Sequence, residues 1–118
     1  MAELLIDTDV FIDHLRGAHR LEARNHRLSY SVITRAELFA GQHVDEALVA
    51  QLLAPCQEIR VDRAIAERAG RIRRATGTRM LDALIAATAL MHNLVLVTRN
   101  VRHFANVPDL QVQAPSDR

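Results

Sequence analysis

Leu4-Leu5-Ile6-Asp7-Thr8-Asp9-Val10-Phe11-Ile12-Asp13 is the stretch that decides the fold. A short apolar run ends in an acid, a small hydroxyl residue and a second acid. The run predicts a buried strand over residues 4–6 with Asp7 at its C-terminal tip, then a helix whose first turn holds Thr8 and Asp9. In open α/β sheets, ligands bind just beyond the carboxyl ends of the strands. Asp and Thr are also favoured helix caps, so Thr8 or Asp9 is expected to cap this helix. That cap leaves Asp7 unexplained.

The strand-then-helix order recurs outward from this point. Val10, Ile12 and Leu15 mark a short helix stopping near Gly17, and a second helical piece is predicted over residues 18–27, with Arg20, Arg24 and Arg27 at helical spacing. Residues 28–32, including Tyr30, read as a strand. In Ser31-Val32-Ile33-Thr34-Arg35-Ala36-Glu37-Leu38-Phe39-Ala40-Gly41, Thr34 and Glu37 have the spacing of a capping box, and Gly41 reads as the stop. A helix is predicted over 45–54, ended by Pro55, and a strand over 57–61. Over 62–76 the apolar positions Ile65, Ala66, Ala69 and Ile72 recur at helical spacing, the opposite face carries Arg63, Glu67, Arg71 and Arg74, and Gly77 breaks the predicted helix.

Residues 78–91 are almost all apolar or small, which predicts a buried helix with Asp82 in its first turn. The helix dipole tolerates an acid there. It does not say why so apolar a segment carries one, since buried charges are normally paired or bound to a metal. A strand over 94–97 then ends in Thr98-Arg99-Asn100, a small turn follows at His103-Phe104, and Leu110 and Val112 suggest a last edge strand before a polar end after Pro115.

Composition narrows the class. The 118 residues suit one domain spanning 1–118, and 49% hydrophobic content suits a packed core. The formal net charge is +1, and all 15 basic residues are Arg, so any mechanism that needs a catalytic Lys is excluded. Cys56 is the single cysteine and can form no disulfide within the chain; it is expected to pack in the core. The six His are scattered, without the clustering that zinc requires. There is no signal-peptide pattern and no apolar run long enough for a membrane span, so a soluble cytoplasmic protein is expected.

Repeated strand–helix units predict an α/β fold, a parallel sheet with helices on both faces. Right-handed crossovers then put the strand C-termini along one edge, where Asp7, Glu37, Asp82 and Asn100 can converge. Carboxylates without His or Cys suit Mg²⁺, which takes oxygen ligands and often only one or two protein carboxylates. Such an ion can activate water for phosphodiester cleavage.

Four stretches carry a resemblance over nearly the whole chain: Leu5-Ile6-Asp7-Thr8-Asp9-Val10, residues 33–41, Asp82-Ala83-Leu84-Ile85-Ala86-Ala87-Thr88-Ala89, and residues 97–104. In that order they resemble the successive motifs of PIN-domain ribonucleases, and most closely those of VapC-type toxins. The resemblance implies a three-layer α/β/α domain with a mostly parallel sheet, and a Mg²⁺- or Mn²⁺-dependent endoribonuclease that is the toxin of a type II toxin–antitoxin pair. It implies metal ligation by Asp7 and Asp82, with Glu37 as the second acid of the site. Asn100 falls where many members carry a fourth acid, a departure that lowers the negative charge. Asp9 stands where Asn or Ser is common, and Thr8 and Thr98 match hydroxyls lining the site. The implied partners are RNA, often tRNA, a VapB-type antitoxin whose C-terminal segment fills the groove, and a second copy of the chain. Arg79, Arg99 and Arg102 are the expected RNA contacts, or else ordinary ion pairs.

Two alternatives use the same residues. A haloacid-dehalogenase-like phosphatase would take Asp7 as nucleophile and Asp9 as acid–base group, but that family normally needs a later Lys, as does a receiver-type phosphoacceptor domain. A non-catalytic α/β binding module would explain Asn100 alone.

Overall fold

The computed structural model describes residues 3–115, so the polar end after Pro115 lies outside the described residues. Side-chain alternation along the first strand, β1 (Glu3–Ile6), sets the layers. Leu5 faces one side and packs with Ile65, Ala69 and Ile72 of α4 (Arg63–Thr76) and the alanines of α5 (Met80–Met91). Leu4 and Ile6 face the other side. They join Val10 and Phe11 of α1 (Thr8–Leu15), Leu38 of α2 (Val32–Phe39), and Val49 and Leu53 of α3 (Glu46–Leu53). One strand therefore contributes to both cores, and the architecture is α/β/α as expected.

The remaining strands are β2 (Arg27–Ser31), β3 (Gln57–Ile59), β4 (Val95–Val97) and β5 (Val112–Gln113). The sheet order is β3-β2-β1-β4-β5, and every pairing is parallel. The chain moves from β1 outward to β3, then returns through α4 and α5 across the opposite face to reach β4 on the other side of β1. The crevice of such a sheet opens where the direction reverses, between the carboxyl ends of β1 and β4.

Helix α5 reaches this crevice closely because its sheet-facing residues are small: Ala83, Ala86, Ala87 and Ala89 are each 0% exposed. Its start is fixed by the end of α4, where Gly77 takes the left-handed conformation (φ +77°) and donates its N–H to Arg73. Among the described residues no helix is long and apolar enough to cross a membrane. Cys56 is half-buried against the α1–α3 core, and that burial raises its thiol pKa.

Several sequence expectations need correction. Residues 18–27 form no helix. Gly17 turns left-handed at φ +74°, Ala18 and His19 both donate to the Asp13 carbonyl, and Leu21 is the one large apolar side chain of the segment, too little for a buried face. Arg24 and Arg27 pair with Glu22 and Glu3. Strand β2 ends at Ser31 because α2 begins at once, and β3 stops at Ile59, two residues before Val61. Asn93, at φ +54°, turns the chain into β4, which starts at Val95. The turn at residues 103–104 is part of a 3-10 helix, Val101–Phe104.

Candidate active site

Strand register delivers Asp7. β1 and β4 pair Leu4 with Val95, Leu5 with Leu96 and Ile6 with Val97, so Asp7 and Thr98 leave the sheet side by side. The Asp7 N–H still donates to the Val97 carbonyl at 2.9 Å. Only this residue separates strand from helix, and its backbone is extended (φ −72°, ψ 155°), as a helix cap requires. The cap of α1 is thus Asp7 itself, and neither Thr8 nor Asp9: Oδ1 accepts the Thr8 N–H at 2.9 Å. Oδ2 accepts the Thr98 hydroxyl at 2.8 Å.

Both donors to Asp7 are neutral, and the side chain is buried, at 8% exposure. Burial is the main reason its pKa is pushed up to about 6; the neighbouring charge of Asp9 raises it further, Thr98 and Thr8 oppose the rise, and Asp82 adds a smaller upward push.

Glu37 arrives through a hydroxyl chain. Helix α2 is capped by Ser31, whose Oγ accepts the Ile33 N–H at 3.1 Å. Thr34 therefore lies inside the helix, and the expected Thr34–Glu37 capping box does not form. Both side chains instead point to α1: Thr8 Oγ donates to Glu37 Oε1 at 2.6 Å and lies 2.9 Å from Thr34 Oγ. Because Thr8 gives its one proton to the Glu37 carboxylate, Thr34 is the donor to Thr8.

Asp82 stands in the first turn of α5, with His103 Nδ1 3.9 Å from its Oδ2. Asp7, Thr8, Asp9, Glu37, Asp82 and Asn100 line one cleft of about 460 Å³, and Arg79 and His103 line it too. Thr98 lies beneath, fully buried. Arg99 turns away: its guanidinium donates to Asp13 at 2.7 Å, the ion-pair alternative. Arg102 is exposed and does not line the cleft. His103 was legible only as part of a turn. Its signal is the spacing of three from Asn100, which one 3-10 turn converts into a shared side, with His103 N–H donating to the Asn100 carbonyl.

Asp9 is engaged elsewhere. Its Oδ2 accepts from Asn100 Nδ2 at 2.8 Å, from Arg99 N–H at 3.2 Å and from Thr98 Oγ at 3.3 Å. Burial raises its pKa, while the Arg99 N–H, the Thr98 hydroxyl and the Arg99 charge lower it and Asp13 raises it. A phosphatase would need Asp9 as a free acid–base group; these donors occupy it.

The donor chemistry fits a hard divalent ion. Asp7 is a buried carboxylate stabilised by neutral donors alone, and Asp82 faces the same cleft. Among the described residues no three His, Cys, Asp or Glu side chains stand close enough to enclose a metal. Two carboxylates completed by waters match Mg²⁺ or Mn²⁺ better than an all-protein cage such as zinc requires.

The all-parallel α/β/α sheet with acids gathered at its switch point defines the class of fold, and sequence comparison identifies the family. The PIN-domain family model matches residues 4–110, and the chain belongs to that family. Ribonuclease VapC19 of Mycobacterium tuberculosis is 38% identical over 121 aligned positions, covering 91% of this chain and 96% of the relative. Among solved structures, a toxin–antitoxin complex from Klebsiella pneumoniae has a chain 30% identical, with a TM-score of 0.80 and coverage of 98% and 99%. VapBC-1 from nontypeable Haemophilus influenzae is 28% identical, with a TM-score of 0.72 and coverage of 95% and 97%.

Proposed function

We propose that the chain is a Mg²⁺- or Mn²⁺-dependent endoribonuclease and the toxin of a type II toxin–antitoxin pair. The observation that carries the reading is Asp7: a buried acid, with neutral donors only, at the mouth of a cleft it shares with Asp82. The similarity to Ribonuclease VapC19 supports RNA as the polymer cleaved.

Asp7 and Asp82 are the residues that would hold the ion. When bound, it supplies a Lewis acid for the scissile phosphate and a lower pKa for an attacking water. Asp7 offers one oxygen on each side of its carboxylate, because Thr8 and Thr98 each take one acceptor position and leave others open. Glu37 is held by Thr8 at Oε1, and Oε2 takes no protein donor among the described residues, so it can accept a proton from a water in the cleft. Arg79 is exposed at the rim, has no ion pair among the described residues, and is the expected contact to a substrate phosphate.

The antitoxin reading rests on the complexes from Klebsiella and Haemophilus. A second groove of about 450 Å³ lies between α1, α2 and the start of α3, and it shares Ile12 and Glu37 with the acidic cleft. An inhibitory peptide seated there would cover Glu37. A transfer RNA substrate, a homodimer and cytoplasmic location remain part of the proposal on family likeness.

The deciding experiment is cleavage of total and transfer RNA by purified protein with Mg²⁺ or Mn²⁺, against a chelator control. Metal-dependent endonucleolytic products, lost in Asp7→Ala and Asp82→Ala, are expected. Full cleavage by both variants would overturn the assignment. Calorimetric titration with Mn²⁺ reads the same two residues without RNA.

A further inference from the structure

Three consecutive residues at the tip of β4 converge on one oxygen of α1. Asp9 Oδ2 receives the Arg99 N–H and the Asn100 side-chain amide, and the Thr98 hydroxyl that bonds Asp7 lies 3.3 Å away. Thr98 gives its one proton mainly to Asp7, the nearer acceptor at 2.8 Å, but a carboxylate oxygen has two lone pairs, and the Arg99 N–H and Asn100 amide occupy both and leave Asp9 Oδ2 a poor metal ligand. Four residues further along α1, Asp13 takes the Arg99 guanidinium at 2.7 Å. The helix thus grips the 98–100 turn twice, through backbone and side chains together.

The amide orientation follows from the partner. Asp9 as a carboxylate only accepts, so Asn100 must face it with Nδ2; the flipped amide would set Oδ1 against Oδ2. With Nδ2 committed, Oδ1 is the polar atom of the Asn100 side chain left for the cleft, which Asn100 lines. A carboxylate at position 100 would face Asp9 at the 2.8 Å now spanned by a hydrogen bond. Two carboxylates that close do not both stay ionised without cost.

We infer that Asp9 is a positioning residue whose carboxylate holds the 98–100 turn and fixes Asn100 as the neutral acceptor of the cleft. Acid and amide form one pair with a defined polarity: the negative charge sits on α1 and the amide on the strand tip. Asn100 is therefore matched to Asp9 and is not a lost ligand that a carboxylate would restore. The inference deepens the nuclease reading, and its test uses neither RNA nor catalysis, so each can fail without the other.

The test compares Asn100→Asp, Asp9→Asn and the double variant that swaps them. Two readouts are taken at pH 7.5: the denaturation midpoint of metal-free protein and Mn²⁺ affinity by calorimetry. Asn100→Asp is expected to lower the midpoint and to bind Mn²⁺ no more tightly than the parent. Adding Asp9→Asn to it should recover the midpoint, a coupling worth on the order of tenfold in the folding equilibrium constant. If Asn100→Asp does not fold, a folded swap variant supports the pair and an unfolded one overturns it. The pair is also overturned if Asn100→Asp alone keeps the parent midpoint or tightens Mn²⁺ binding about tenfold.

Discussion

Thr98 lies between two acids, the buried Asp7 and the half-buried Asp9: its hydroxyl is 2.8 Å from the first and 3.3 Å from the second. Replacing it with Val keeps the shape and leaves Asp7 with one neutral donor. The expected loss is about 1–3 kcal/mol, read from the denaturation midpoint of metal-free protein. The same change should move the Asp7 pKa further up, because the lost bond is one of those that lower it. An unmoved carboxyl titration, followed by NMR, would contradict this. The Asp7 pKa of about 6 also governs metal uptake, since a ligand carboxyl must lose its proton first. Mn²⁺ affinity should be flat above pH 7, then fall by up to about tenfold per unit below pH 6 as one proton is released on binding. Equal affinity at pH 5 and pH 7.5 would exclude Asp7 from the ion. At this scale residue type was informative and partners were not. Asp7, Glu37 and Asp82 were legible as acids at element ends. The cap is local, from Asp7 to the next residue, but which of three adjacent polar residues takes it is not written in residue type, and the binding of Asp9 to the far strand tip depends on contacts 90 or so residues apart in the chain.

Helix α5 shows how an element can be read from its side chains while its placement is not. A run of alanines says buried and close; it does not say against which strands. Here the small face meets Leu5 and Leu96, so Asp82 is brought to the end of β1. Ala86→Leu adds three carbons where exposure is 0% and should lower the midpoint by about 1–3 kcal/mol. Because α5 must lift off the sheet, Mn²⁺ affinity should fall with it. The joint before α5 makes a subtler case. A Cβ at Gly77 meets nothing within 4 Å, but φ is +77°. Gly77→Ala should therefore cost about 1 kcal/mol from the backbone alone. The element that sequence reasoning misplaced, a helix over 18–27, failed for want of an apolar stripe. Spaced arginines mark a helix only when a buried face accompanies them, as Ile65, Ala69 and Ile72 do in α4.

At the scale of the molecule, strand–helix alternation was enough to predict a parallel sheet, but not that β1 would lie at its centre with the chain reversing around it. That reversal buries Asp7 between two crossovers and sets function against stability. In the unfolded chain the carboxyl titrates at 3.8; in the folded protein it titrates at about 6. Between these values the folded state binds more protons, so metal-free stability falls as pH rises through the window. The difference of about two pH units corresponds to roughly 3 kcal/mol lost above pH 6. Asp7→Asn removes the charge and keeps the size. It should abolish Mn²⁺ binding yet raise the metal-free midpoint at pH 7.5, by less than this limit, because an amide cannot accept from both Thr8 and Thr98. At pH 4 the two proteins should unfold at nearly the same point, since the parent Asp7 is then protonated. Mn²⁺ added at pH 7.5 should close the gap from the other side, raising the parent midpoint and not the variant's. Parallel denaturation curves at both pH values, with and without Mn²⁺, check all of this. A variant less stable than the parent at pH 7.5 would mean that the fold does not strain against the charge it holds.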